Sequence, residues 1–495
     1  MYLHDWNELV VQLRPKLAEL RVRVYGSGGA PHHHLALAAL FGADARPIAA
    51  ESIRQGGLAN ADVLVVPGGG ARAMSGLLEP LGDDGAAAVR AFVGEGGMYV
   101  GSCAGSFLPA VVGESFWNEN PQARHMCMLN AHLFNAGDSE WAGLTSPGVG
   151  TVQVTTERPR HWLATGLPPR FRLVHYNGPM FSARAHAAPA PALVAGAEVA
   201  EVTGVVSFAA ATRDFTPGEA FLGEAPAGPT LFDEGAADGA FSAVAGAFGE
   251  GTVVLFGSHP EFGLDTVQLG WDDGVRLFGN ALARQAAGLR RAGRAPDPAP
   301  PVLPGAGRAD LPASLAEAAR LARENAARFE ALARTDPAGW ASAGAVGRFL
   351  GLEPRALWRQ AALDATAACA ATEAYLRELA RSPAGAANDA AKDAADPWLH
   401  ARPPEGQDYG FAGLLPLLER VGSMADAASG AMAGRPFALE GPYDAMDRHP
   451  YQLALGSYLS AAGLAAAGLL GAVLVGRALG DRSALPSDRL LACLH

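Results

Sequence analysis

Cys103 is the residue of this chain best placed to do covalent chemistry. It lies in Met98-Tyr99-Val100-Gly101-Ser102-Cys103-Ala104-Gly105-Ser106, between an apolar strand and an apolar run from Phe107 to Val112. That order predicts strand, sharp turn, helix. Small residues on both sides let the backbone turn tightly enough to lift one side chain above the sheet, as a Gly-x-nucleophile-x-Gly elbow does. A thiol at the start of a helix meets the positive end of the dipole, which favours the thiolate, the form that attacks carbonyl carbon. The plainer reading is a small buried hydrophobe, the usual state of a lone cysteine.

Two further stretches supply what a nucleophile needs. Asp62-Val63-Leu64-Val65-Val66 reads as a buried parallel strand and empties into Pro67-Gly68-Gly69-Gly70. Glycine N–H groups there can face a ligand, so an oxyanion beside Cys103 would take one donor from Ala104 and one from Gly69 or Gly70. Downstream, Thr252 to Gly257 is another buried strand, ending in Ser258-His259-Pro260-Glu261-Phe262. Proline biases His259 towards an extended backbone, which sends His259 and Glu261 to the same side. The pair suits a general base whose ring a carboxylate holds.

The elements that must position these groups alternate from residue 21 to about 112. Arg21 to Tyr25 is a first strand, Gly26 to Gly29 a turn, and Leu35 to Phe41 a helix; Asp83 to Val93 is a second helix. Alternation predicts a parallel sheet covered on both faces, with ligands beyond the C-terminal strand edges, where Gly28, Gly69, Cys103 and His259 would gather. His32-His33-His34 opens the first helix; consecutive histidines diverge and no further ligand spacing follows, so a polar helix start is expected rather than a metal site. From Gly113 to Gly251 short β-prone pieces (Val149 to Thr155, Phe171 to His175, Val199 to Phe208) predict an antiparallel insertion or flap. Cys127 and His125 could make a second thiol pair, although a Met-flanked cysteine is more often core, and neither is assigned a role. Asp265 to Arg290 closes the domain as a helix.

Taken together, Pro67-Gly68-Gly69-Gly70, Gly101-Ser102-Cys103-Ala104-Gly105 and His259-Pro260-Glu261 resemble the class I glutamine amidotransferases and their Cys-His-Glu triad. With Val24-Tyr25-Gly26-Ser27-Gly28-Gly29 and His175-Tyr176-Asn177-Gly178-Pro179 added, the chain looks still more like the N-terminal domain of eukaryotic-type biotin-protein ligases. The resemblance covers residues 21–290 and implies a Rossmann-like α/β domain with Cys103, His259 and Glu261 catalytic. It also implies that Tyr176 and Asn177 lie near the pocket. No Gly-Arg-Gly-Arg-type motif is present, so biotin ligation is not implied. Glutaminases of the class carry glutamine four residues after the nucleophile; here that residue is Phe107, so free glutamine is not the expected substrate.

The chain has 495 residues, about half of them hydrophobic, enough for two or three domains. A net charge of −12 argues against a nucleic-acid backbone binder. Its four cysteines are scattered, which excludes a disulfide framework and a structural zinc site and fits a cytoplasmic protein. The expected organisation is an N-terminal helix (1–20), the α/β domain (21–290), a proline-rich linker (291–313) and an alanine-rich, all-α helical domain (314–495). Within the last, 453–475 carries no charge and is long enough to cross a bilayer. A buried central helix explains it equally well and is preferred; membrane attachment is the alternative. No cofactor is expected. Two functions follow: a cysteine hydrolase or amidase acting on a small or amide-containing substrate, or a non-catalytic binding module of the same fold.

Overall fold

The computed structural model describes residues 3–69, 73–111, 121–135, 146–182, 202–212, 215–221, 228–262, 272–289, 310–335, 354–381, 389–403, 410–432, 465 and 468–481. An amphipathic helix, α1 (Leu3–Leu17), leads into β1 (Arg21–Tyr25), followed by α2 (His32–Leu40), β2 (Asp44–Ile48), α3 (Ala50–Arg54), β3 (Val63–Val66), α4 (Ala73–Gly94), β4 (Met98–Ser102) and α5 (Ala104–Phe107). The later strands are β5 (Gly148–Thr156), β6 (Arg170–Tyr176), β7 (Thr203–Ala211), β8 (Thr216–Pro217), β9 (Phe241–Phe248) and β10 (Gly251–Phe256), and α6 (Asp272–Gly288) closes the unit. This is the expected α/β architecture.

The strands form a single sheet in the order β2-β1-β3-β4-β10-β9-β7-β5-β6, with β8 paired to β5. The first five are parallel, and from β9 onward the pairing is antiparallel. Of the expected antiparallel insertion or flap over 113–251, the antiparallel insertion is what the described strands form, and they extend the main sheet. The reason is the tight turn between β9 and β10, where Gly249 takes φ +56° and Gly251 pairs with Phe248. That turn lays β9 beside the last parallel strand, and the rest pair onto it. Register levels the site: Gly101 is opposite both Val66 and Leu255, and Ser102 is opposite Phe256. Pro67, Cys103 and Gly257 consequently leave the sheet along the same edge.

Alternation sorts the core. Val63 and Val65 face one apolar layer with α1, α2 and α6, while Leu64 and Val66 face a second with α3 and α4. Both faces of the parallel half are covered, as buried β-branched strands require. The fit is close: a Cβ on Gly279 of α6 would stand 2.6 Å from Leu13 of α1.

Beyond residue 310 the described elements are helical: α7 (Leu311–Arg334), α8 (Pro354–Arg381), α9 (Asp389–His400) and α10 (Leu414–Met432). Their apolar residues belong to the same continuous layer as α1, α2 and α6. The proline-rich linker lies almost wholly outside the described residues, as do 453–464, 466 and 467. The described part of that uncharged stretch, 465 and 468–475, is helical and buries Leu469, Leu470, Val473 and Val475. Gly468 and Gly471 face Leu418 and Leu414 of α10, and a Cβ on Gly476 would strike the Tyr375 hydroxyl of α8. Among the described residues no helix is long and apolar enough to cross a membrane.

Candidate active site

The site is built outward from a strained cysteine. Cys103 leaves β4 with φ 48° and ψ −118°, a conformation that L residues other than glycine rarely adopt. The surroundings enforce it. Its N–H donates to Phe256 O at 2.9 Å, and the Tyr99 hydroxyl donates to Gly105 O at 2.7 Å across the turn. A Cβ on Gly105 would strike Val66 O, so only glycine lets the turn press against β3. Strain of this kind is kept where the surrounding structure over-determines it, commonly at functional sites.

The helix behind the elbow is shorter than expected. α5 ends at Phe107, because Pro109 follows and Val111 pairs with His132 instead of continuing the helix. Four residues carry little macrodipole, so the electrostatics at Cys103 come chiefly from its neighbours.

The first of those neighbours is His259. Its N–H donates to Val174 O at 2.8 Å, fixing the backbone, and the ring Nδ1 lies 2.7 Å from Glu261 Oε1. Both side chains are buried, with Pro260–Phe262 forming a single turn that brings the carboxylate back under the ring. Burial opposes charge on the imidazole, yet Glu261 and Cys103 beside it prevail and raise its pKa. Glu261 is moved the other way: burial works against its charge, and the histidines around it nevertheless hold the carboxyl below its ordinary range. A Cβ on Gly68 would stand 2.5 Å from Cys103 Cβ and 3.1 Å from His259 Cε1, so those two atoms are no further apart than the sum of these distances. Gly68 leaves room for thiol and imidazole to face each other. The three predicted triad residues thus share one edge of the sheet.

Two residues outside the expected triad touch it. Ser102 Oγ donates to Glu261 Oε2 at 3.0 Å, and His34 Nε2 lies 3.2 Å from Ser102 Oγ and 3.6 Å from Glu261 Oε2. His34 belongs to the histidine run that reads in the sequence as a polar helix start. In the structure all three of those histidines are buried, so the polar start is corrected: α2 is packed between the sheet and the helical elements. Among the described residues no group of three or more His, Cys, Asp or Glu is placed to hold a metal ion.

No protein-family model matches the chain, and no curated protein matches it. Among solved structures it is similar to a GMP synthase-type protein of Thermoplasma acidophilum, at 15% identity and TM-score 0.32, over 54% of this chain and 95% of that one. It is similar also to PurLQS of Thermotoga maritima, at 12% identity and TM-score 0.32, over 54% and 99%. A third likeness is to a ThuA-like protein of Bacteroides uniformis, at 12% identity and TM-score 0.30, over 55% and 92%.

The remaining predicted residues divide. Tyr176 is beside the thiol: Cys103 Sγ donates to its carbonyl at 3.4 Å, and its ring meets the His259 ring edge-on at 6.4 Å. Asn177 turns the chain with φ 51°, its side chain accepting from Ser146, and a Cβ on Gly178 would lie 3.6 Å from Cys103 Cα. Ala104 and Phe107 are buried directly behind the nucleophile. Phe107 packs within the layer that holds Leu77, Leu78 and Tyr99, making it part of the core. Gly69 is exposed at φ +74°, and Gly70 lies outside the described residues. Gly28 packs closely on α4, where a Cβ would stand 2.7 Å from Gly76 O. Cys127 is core, its thiol pushed up to about 12 by burial, which leaves it inert.

Proposed function

We propose that the α/β unit is a cysteine-dependent hydrolase of amides or related acyl compounds, with a Cys103-His259-Glu261 triad. One observation carries the reading: Cys103 is held at positive φ on a strand-to-helix turn, opposite a histidine whose far nitrogen is fixed by a buried carboxylate. In that arrangement the Cys103 thiolate attacks the carbonyl carbon while the imidazolium keeps the proton. The ring then gives the proton to the departing amine, leaving a thioester. Water, losing a proton to the same ring, attacks the thioester and releases the acid and the free thiol. The Ala104 N–H and an N–H of the Gly69-Gly70 loop supply the oxyanion donors. The motif resemblance to class I amidotransferases and to biotin-protein ligase N-terminal domains supports the same assignment, without implying ligation.

A binding module without turnover is the second reading. It is favoured by one feature: Cys103 is only 8% exposed and its Sγ is turned to the Tyr176 carbonyl. Incubation with p-nitrophenyl esters of short and aromatic acids separates the two. The hydrolase reading expects p-nitrophenol release above background and an acyl adduct on Cys103 by mass spectrometry, both lost in Cys103→Ala. Absence of adduct and of release in the wild type establishes the binding module.

A further inference from the structure

The hydrogen bonding around Glu261 does not end at His259. Oε1 takes the His259 Nδ1 contact at 2.7 Å, and Oε2 accepts from the Ser102 hydroxyl at 3.0 Å. Behind Ser102, His34 Nε2 stands 3.2 Å from the serine oxygen. Ser102 and His34 are both fully buried, and the His34 ring is braced edge-on by Phe278 at 5.5 Å. We infer that Ser102 and His34 are positioning residues for Glu261, locking the carboxylate by its second oxygen so that its first stays under the His259 ring. This rests on the triad reading above.

The directions of donation follow from chemistry. Ser102 spends its proton on the carboxylate, so its oxygen is left to accept, and His34 must donate from Nε2. Nδ1 of His34 is then the unprotonated nitrogen. It is buried without a hydrogen-bond partner, which is cheaper for a bare acceptor than for a stranded N–H. Burial pushes the His34 pKa down to about 4, so the ring is neutral and carries one proton, as this tautomer requires. Titratable groups facing it are Glu261, His33 and His259. A carboxylate pinned at both oxygens cannot rotate away from the imidazole. One pinned only through His259 can, and the imidazolium then loses its place opposite the thiol. Neither residue touches the reacting atoms.

Cys103 alkylation by iodoacetamide, followed against pH with Cys103→Ala as background, tests this. Ser102→Ala and His34→Leu are expected to slow alkylation at neutral pH by about three- to tenfold, the scale of one lost buried hydrogen bond, and to move the midpoint of the rate profile upward. His34→Gln, whose amide can still donate to Ser102, should return to within about twofold of wild type. Wild-type profiles in both Ser102→Ala and His34→Leu overturn the inference, as does His34→Gln behaving like His34→Leu. If His34→Leu fails to fold, Ser102→Ala alone decides. Glu261→Gln separates the two levels of argument: if it too leaves the profile unchanged, the triad reading fails; if it shifts the profile while Ser102→Ala does not, only the positioning role fails.

Discussion

The His32 ring stacks on Phe411, 5.7 Å between centroids and 16° between planes, joining the first helix of the α/β unit to the segment that opens α10. The contact is backed by main chain. Phe411 N–H donates to Gly26 O at 2.8 Å, and His32 Nε2 lies within 3.4 Å of both Ala412 N and O. Trp398 closes the other side of Phe411, edge-on at 5.9 Å. The helical elements therefore rest on the turn after β1 and on the start of α2, the helix that carries His34. Replacing Phe411 by alanine should remove about 3 kcal/mol, the range for a buried phenylalanine. Gly26→Ala should act similarly, because its Cβ would stand 2.9 Å from Phe411 Cβ. Hydrogen exchange is the measurement: protection of 26–34 and 398–412 should fall together, whereas loss confined to 398–412 would show that the stack does not couple the two.

Buried histidines predict how stability depends on pH. His32 and His175 are held near 3 and His34 near 4, in each case mainly by burial, so the folded state keeps them neutral. Below the ordinary value of about 6.5 the unfolded chain binds more protons, and stability falls as pH drops, by up to about 1.4 kcal/mol per unit for each ring. His259 has the opposite sign. Its raised pKa, about 10, adds stability that is complete below 6.5 and declines as pH rises towards that value. Glu261, held near 2, contributes fully above its ordinary range and loses its share below it. Stability should therefore peak near pH 6.5 to 7. Urea unfolding from pH 4.5 to 9.5 tests this, and the decline on the alkaline side should disappear in His259→Ala; a curve still rising at pH 9 would show that His259 is not charged in the fold.

How far the sequence anticipated the site depends on the range of each interaction. The strands around Cys103 are short, apolar and bounded by glycine or proline, so their order and the elbow could be read locally, and His259 and Glu261 are two residues apart on one turn. Ser102 stands inside the quoted motif, but its partner Glu261 is 159 residues away and His34 is 68 away. Nothing in a histidine run distinguishes a ring that will brace a carboxylate from one on a polar surface. The continuity of the sheet was hidden for a different reason. Phe241 to Phe248 is rich in alanine and glycine, weak in strand preference, and becomes a strand through its turn onto β10.

Gly68 offers a steric test of the thiol and imidazole geometry. A methyl at this position would overlap Cys103 Cβ at 2.5 Å and crowd Ser102 O at 3.1 Å, both on a backbone held by sheet hydrogen bonds. The added carbon must push the 67–69 loop or the elbow aside. Gly68→Ala should reduce iodoacetamide alkylation of Cys103 by at least about tenfold, since a 1 Å misplacement at a reacting centre costs on the order of a hundredfold. Retention of wild-type reactivity would mean that Gly68 does not border the space where thiol and imidazole face each other.

The last prediction concerns the substrate, and Phe107 decides it. In the glutaminases that this motif order resembles, glutamine occupies that position, one helical turn beyond the nucleophile. Here a phenylalanine stands there, 6% exposed and packed into the layer that contains Leu77, Leu78 and Tyr99. It offers no hydrogen bond to a substrate amide, and a polar substrate against it would leave groups unsatisfied at about 1–3 kcal/mol each. Restoring the amide by Phe107→Gln would not restore the site, because the same penalty would fall on a glutamine buried in apolar surroundings. Wild type and Phe107→Gln should both release no ammonia from free glutamine above the Cys103→Ala background, while esters with an apolar acyl group acylate Cys103 in the wild type. Ammonia release from glutamine that disappears in Cys103→Ala would overturn the argument and return the site to glutamine hydrolysis.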